Sequence, residues 1–278
     1  MSSVLVPNQI SLIVNSNPAD GAKNLSADGS TFQVSYEDGG LQIPADALNT
    51  TISVQTANIW FSTPNIFTGK NDKMYVTGDN TSGVLTNFVL IIPRGLYDLP
   101  LLNNAIQLQL ENQQAKTNPS PLISISADEA TAKVNLRFNY ANVQVDFRPT
   151  DTFRDILGFN SGLLSVATAP QTIPAQNVAK FNTINSYLIH SDLVNNGIRY
   201  NNIYNQTIGE VLIDVAPQEQ INSQPFNPAT SDASDLRGVK RNNVSFWLTD
   251  ENNKLIDTNT EYWGARILIR YDEVKVLT

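Results

Sequence analysis

The sequence predicts a mainly β fold, an antiparallel β-sandwich with a few short helices and hairpin insertions. Three observations predict it. Between residues 131 and 140, Ala132, Val134, Leu136, Phe138 and Tyr140 alternate with Thr131, Lys133, Asn135, Arg137 and Asn139. That alternation puts one face of a strand in a core and the other in water. About ten short patterns of this kind recur along the chain, separated by turn residues. Only one stretch of any length has helical spacing. Eight principal strands in two packed sheets would form a single jelly roll.

The elements follow in order. Ile10, Leu12 and Val14 alternate as a first strand, and Asp20-Gly21 and Asp28-Gly29 mark turns. Phe32, Val34 and Tyr36 form a second strand, ended by Glu37-Asp38-Gly39-Gly40. Ile52, Val54 and Ile59-Trp60-Phe61 read as a long, mostly buried strand stopped by Pro64. Residues 71–83 are polar around a short Met74-Tyr75-Val76 strand, and another strand at 88–92 ends at Pro93. Asp98 and Pro100 then open a helix of about three turns, because Leu102, Ile106 and Leu110 fall on one helical face. Ile106, Leu108 and Leu110 also alternate, so a strand is the competing assignment.

Strands resume at Ile123 and Ile125, and a turn over 127–130 leads into the strand at 131–140. Val143, Val145 and Phe147 follow with reversed parity, which requires a turn or bulge near 140–142. Residues 152–157 read as a short helix, with Thr152 and Asp155 as a capping box and Gly158 as its left-handed terminator. From 171 to 192 the chain reads as one extended strand region carrying Phe181, Ile184, Leu188 and Ile189. Ile208, Val211, Ile213 and Val215 form another strand. Residues 216–236, with Pro217, Pro225 and Pro228, read as a long contact loop. Val244, Phe246 and Leu248 alternate, residues 250–253 turn, and Trp263, Ala265, Ile267 and Ile269 form the closing strand. No 20–50-residue period marks a solenoid.

Composition narrows the function classes. A chain of 278 residues buries roughly three quarters of its extended-chain surface, enough for a full core without staples. The absence of cysteine removes disulfides, thiolate catalysis and cysteine-ligated zinc. A net charge of −8 and a pI near 4.6 repel nucleic acid on average, so no direct nucleic-acid partner is expected. The one tight basic group, Arg237, Lys240 and Arg241, reads as a solvated loop. The stretch MSSVLVPNQISLIV lacks a basic region and carries Pro7 and Asn8 early, so no secretory leader is expected. No apolar run approaches the roughly 20 residues of a membrane span. The 33 asparagines suit a fold rich in tight turns. The sequons at Asn24, Asn49, Asn80, Asn205 and Asn243 follow from that abundance.

Candidate chemistry is sparse. His190, the single histidine, shares a strand face with Asp192, but no nucleophile or second ligand motif accompanies them, so an ordinary strand histidine is expected. Asp250, Asn252, Lys254, Asp257 and Glu261 have a calcium-loop flavour. Lys254 at a ligand position and Leu255 in place of the turn glycine break the pattern, leaving a hairpin. Glu37-Asp38 and Asp128-Glu129 read as turn carboxylates without a glycosidase pairing. Gly83, Gly95 and Gly158 lack phosphate-loop spacing. Trp60, Trp247 and Trp263 sit in apolar strand patterns and are expected in the core, although exposed tryptophans would stack sugars. No catalytic, cofactor-binding or metal residue is therefore expected, and no interface residue is assigned.

Four segments, taken in order, carry a resemblance: FVLIIPRGLYDL at 88–99 followed by the amphipathic helix, TFRDILGF at 152–159, FNTINSYLIHSD at 181–192, and VSFWLTDENNKLID at 244–257. Together they resemble the penton, or vertex, capsid proteins of virophages and Polinton-like DNA viruses, over about residues 50–270. The resemblance implies a single jelly-roll capsid domain spanning residues 1–278; some family members carry a further outward domain inserted in the roll, and a small version of it is an open expectation for this chain, with no limits set by the sequence. It implies a non-enzymatic structural protein of the virion, assembled in the host cytoplasm. Homopentamers would close the five-fold vertices of an icosahedral shell built from a double-jelly-roll major capsid protein. No cofactor follows. The rival reading from the residues is a glycan-binding β-sandwich, an attachment or adhesin module. A jelly-roll glycoside hydrolase is a third, without a supported carboxylate pair.

Overall fold

The computed structural model describes residues 3–36, 39–182, 184–199 and 205–276. The chain begins with β1 (Ser3–Asn15), β2 (Thr31–Ser35), β3 (Leu41–Gln42) and β4 (Leu48–Trp60). It continues through β5 (Lys73–Asp79), β6 (Leu85–Ile91), α1 (Leu99–Asn112), β7 (Ile123–Asp128), β8 (Lys133–Phe138), β9 (Gln144–Asp146), α2 (Arg154–Leu157), β10 (Leu163–Ser165) and β11 (Gln171–Pro174). It ends with β12 (Ser186–Ser191), β13 (Thr207–Leu212), β14 (Gln220–Ser223), β15 (Ser231–Asp232), β16 (Lys240–Arg241), β17 (Asn243–Thr249) and β18 (Gly264–Val276). These elements form two compact units, Met1–Thr63 with Ile184–Thr278, and Pro64–Thr183.

The first unit is a jelly roll. Its eight principal strands are β1, β2, β4, β12, β13, β14, β17 and β18. The first pairs with the last, the second with the seventh, the third with the sixth and the fourth with the fifth, all antiparallel. A long hairpin rolled on itself has this pairing. The result is two four-strand layers, β1-β18-β4-β14 and β13-β12-β17-β2, with β15 also paired to β4. Alternation sends Leu12 and Val14 inward, opposite Ile267 and Ala265. Phe32 anchors the core between Phe246, at 5.5 Å, and the edge-on Trp263, at 5.0 Å. The layers come close at Gly209, where an added Cβ would lie 2.6 Å from a Val54 methyl.

The second unit falls between β4 and β12 in sequence. It contains the sheets β10-β9-β5-β6 and β11-β8-β7, with α1 against β7 and β6. Asp98 caps α1 by accepting the Leu101 N–H at 2.8 Å, and Leu102, Ile106 and Leu110 are buried. Asn103 of α1 accepts the Ile125 N–H at 3.0 Å, which fixes the helix on β7. Phe138, Phe147, Phe153 and Phe159 belong to the unit's own apolar core. Its two ends meet, since Asn65 Nδ2 donates to the Phe181 carbonyl at 3.0 Å. In the first unit the flanking Thr63 and Tyr187 hydroxyls are 3.0 Å apart. A segment whose ends lie together enters a connection of a roll without pulling its strands apart.

Several details differ from the expectations. The strand expected over 131–140 is confined to Lys133–Phe138, because Ala132 adopts a left-handed φ of 54°. No capping box forms at α2. Phe153 takes the N-cap position, and the Thr152 hydroxyl donates to the Pro149 carbonyl instead. Gly158 does terminate α2 with φ 82°. Residues 171–192 are not one strand region: β11 belongs to the second unit and β12 to the roll. Within 216–236, β14 and β15 both pair with β4, so two short stretches of the expected loop belong to a sheet. β13 stops at Leu212, where Ile213 N–H turns to the Asn185 carbonyl.

Gly209→Ala is expected to destabilise the protein by about 1–3 kcal/mol in urea unfolding, through overpacking against Val54. Gly162→Ala, with open space at its Cβ, is the near-neutral control. The excised segment 64–183 is expected to melt cooperatively in circular dichroism, because it carries its own core.

Candidate binding surface

The polar groups singled out in the sequence are taken up by structure. His190 is buried between two threonines, with Nε2 2.7 Å from Thr249 Oγ1 and Nδ1 3.2 Å from Thr207 Oγ1. Its ring stacks on Trp247 at 5.5 Å and 4°. Burial pulls the imidazole pKa down to about 4, so the ring is neutral at neutral pH. Asp192 has a different partner, the Ser245 N–H at 3.0 Å.

The acidic loop after β17 is closed from within. Asp250 Oδ1 accepts the N–H groups of Asn252 and Lys254 at 2.8 and 2.9 Å. Among the described residues, no cluster of three histidines or carboxylates could hold a metal ion. Asp128 likewise ties its own turn through Ala130 N–H and the Thr131 hydroxyl, while Glu37-Asp38 lies outside the described residues. The basic trio is not a loop patch. Arg237 donates to the Ser234 and Ala47 carbonyls, and Lys240–Arg241 is β16, paired with β3.

A second polar group, missed in the sequence, joins Lys73, Tyr75 and Asp151. Lys73 Nζ lies 2.8 Å from Asp151 Oδ2, and the Tyr75 hydroxyl reaches the same carboxylate at 3.2 Å. The lysine hydrogen bond holds the Asp151 pKa below its usual value, and the aspartate raises that of Lys73. Both groups are fixed in their charged forms, which makes an ion pair rather than a proton-transfer pair.

The tryptophans divide three ways. Trp263 is buried, with Nε1 donating to the Gly29 carbonyl at 3.2 Å. Trp247 is half-buried against His190. Trp60, expected in the core, is 37% exposed, because Ile59 and Phe61 take the inward positions on either side of it.

Trp60 points to the outer face of β1-β18-β4-β14, which carries two adjoining clefts. One cleft of about 340 Å³ has Gly264 in its wall between Tyr262 and Arg266, with Asn15, Asn58 and Gln220 beside them. A second, of about 560 Å³, is lined by Gln9, Ser11, Gln55, Gln224 and Phe226. Thr56 and Arg266 line both, so the clefts form one groove. Tyr262 is 45% exposed and Phe226 97%. Outward parity along Gln9-x-Ser11-x-Ile13-x-Asn15 and Thr56-x-Asn58-x-Trp60 was the available sequence signal for this face.

No family model matches the chain, and no curated protein matches it. Among solved structures, the crystal structure of the selenomethionine-labelled mavirus penton protein is similar, with a TM-score of 0.47 and 10% identity, over 95% of this chain and 99% of that one. No helix among the described residues is long and apolar enough to cross a membrane.

Because the His190 pKa is lower in the fold than the 6.5 of an unperturbed histidine, the unfolded chain binds the extra proton. The contribution is complete above about pH 6.5 and is lost as pH falls towards 4. The difference in urea stability between wild type and His190→Gln is expected to shrink by up to roughly 3 kcal/mol over that window. A pH-independent difference would contradict the assignment.

Proposed function

We propose that this chain is a non-enzymatic viral penton protein, whose homopentamers close the five-fold vertices of an icosahedral capsid. The observation that carries the reading is the conjunction of the jelly-roll strand pairing with the four penton-like segments in order. Those segments map to defined parts of the fold: 88–99 to the β6–α1 junction, 152–159 to α2, 181–192 to β12 and its approach, and 244–257 to β17 and its closing loop. In this reading residues 1–278 form one capsid protein whose jelly roll carries 64–183 as its inserted body. The partners are further copies of itself and a double-jelly-roll major capsid protein, and the location is the virion vertex after assembly in the host cytoplasm. No direct contact with nucleic acid is required of it, in keeping with the net charge of −8.

Physical features support it. A five-fold ring is built from heterologous contacts, one surface of a subunit meeting a different surface of its neighbour. The roll offers unlike edges for this purpose: β1 and β14 bound one sheet, β13 and β2 the other. The conspicuous titratable groups, His190, Asp192, Asp250 and the Lys73–Asp151 pair, are committed to holding the fold.

Mass photometry over rising protein concentration is expected to show a five-subunit species, and negative-stain images should show rings. A protein that stays monomeric throughout and does not enter particles co-expressed with a double-jelly-roll capsid protein overturns the proposal.

A further inference from the structure

We propose that the groove on the outer face of β1-β18-β4-β14 is a binding site for a carboxylate-bearing oligosaccharide, with Arg266 holding the carboxylate. This does not rest on the capsid reading. The argument begins with charge. The chain has 26 acidic residues against 18 basic ones, yet no acidic residue lines either cleft. Asp20 approaches only indirectly, through the Asn15 side chain at 3.0 Å. Arg266 sits where the two clefts join, exposed, and among the described residues it has no carboxylate partner. A guanidinium is a planar fork that matches a carboxylate with two parallel hydrogen bonds.

The rest of the groove has the chemistry of sugar recognition. Amide and hydroxyl groups of Asn58, Gln220, Gln9, Gln55, Ser11 and Thr56 supply donors and acceptors for ring hydroxyls. An exposed aromatic stands in each cleft, Tyr262 in one and Phe226 in the other, to cover the apolar face of a pyranose. Gly264 lies in the wall between Tyr262 and Arg266, and a Cβ there would lie 2.9 Å from the Val14 carbonyl of the neighbouring strand. Trp60 lies two residues beyond Asn58 on the same face and extends the aromatic surface.

An acidic peptide also carries carboxylates, but the site suits it less. The groove lies on the face of a sheet, where the backbone of β18 is paired on both sides, with β1 and with β4. A peptide lying over Arg266 on β18 finds no free strand edge for main-chain pairing, the usual source of affinity for extended chains. A saccharide is bound through side chains alone and loses nothing by this.

The test uses the full chain and calorimetric titration with three probes: 3′-sialyllactose, lactose and hexaglutamate. Sialyllactose is expected to bind, with lactose at least tenfold weaker for want of the charge-assisted pair. Arg266→Ala should weaken sialyllactose tenfold or more, Tyr262→Ala should weaken both sugars, and Lys254→Ala, an exposed cation in the loop after β17 and outside the groove, should change neither. Melting curves for each variant establish that it is folded, and Arg266→Lys provides a milder change that keeps the charge and loses the fork. The proposal is overturned if sialyllactose does not bind, if lactose binds equally, if Arg266→Ala leaves affinity unchanged, or if hexaglutamate binds as tightly and competes. Ring formation by the same preparations reads the capsid proposal separately.

Discussion

The pairing of the first strand with the last is the constraint on which the roll depends. β1 and β18 run side by side over thirteen residues each, with β4 joined to the other side of β18. This contact spans nearly the whole chain, so its loop-closure entropy is borne before its hydrogen bonds and apolar contacts are collected. Once it is made, the remaining pairs nest inside it, and the inward residues of both layers face one core. Phe32, Phe246 and Trp263 meet there from segments far apart in sequence.

Placing 64–183 between β4 and β12 is compatible with that constraint because of how the segment begins and ends. The Asn65–Phe181 hydrogen bond draws its ends together, so the roll experiences a closed connection rather than a long free loop. The segment also buries its own aromatic residues, Phe138, Phe147, Phe153 and Phe159, and needs none of the roll's core to do so.

The fate of the polar residues follows from the same economy of burial. Buried polar groups generally find partners, and several in this fold do. His190 lies between Thr249 and Thr207, the Ser62 hydroxyl donates to the Thr258 carbonyl, and Ser16 accepts the Trp263 N–H. These bonds tie loops to strands. The proposed saccharide groove, with Arg266, lies instead on the outer face of the sheet.

Sequence alone determined the class of fold, since period-two alternation is a local property that any reader of residues 10–14, 32–36 or 244–248 can see. It also determined the helix at Leu99–Asn112, whose cap and apolar spacing are contained within one segment. It could not place the second unit, because β11 and β12 carry the same kind of pattern and only long-range pairing assigns them to different sheets. It did not reveal that residues 216–236 return to β4, because short polar strands gain their stability from a neighbour rather than from their own composition. Trp60 was misread for a related reason: an apolar run shows that a strand is buried on one side, and only the sheet's position decides which side that is. The groove around Arg266 is likewise a product of tertiary structure, since Asn15, Thr56, Gln220 and Arg266 come from four strands and adjoin only when the sheet is assembled.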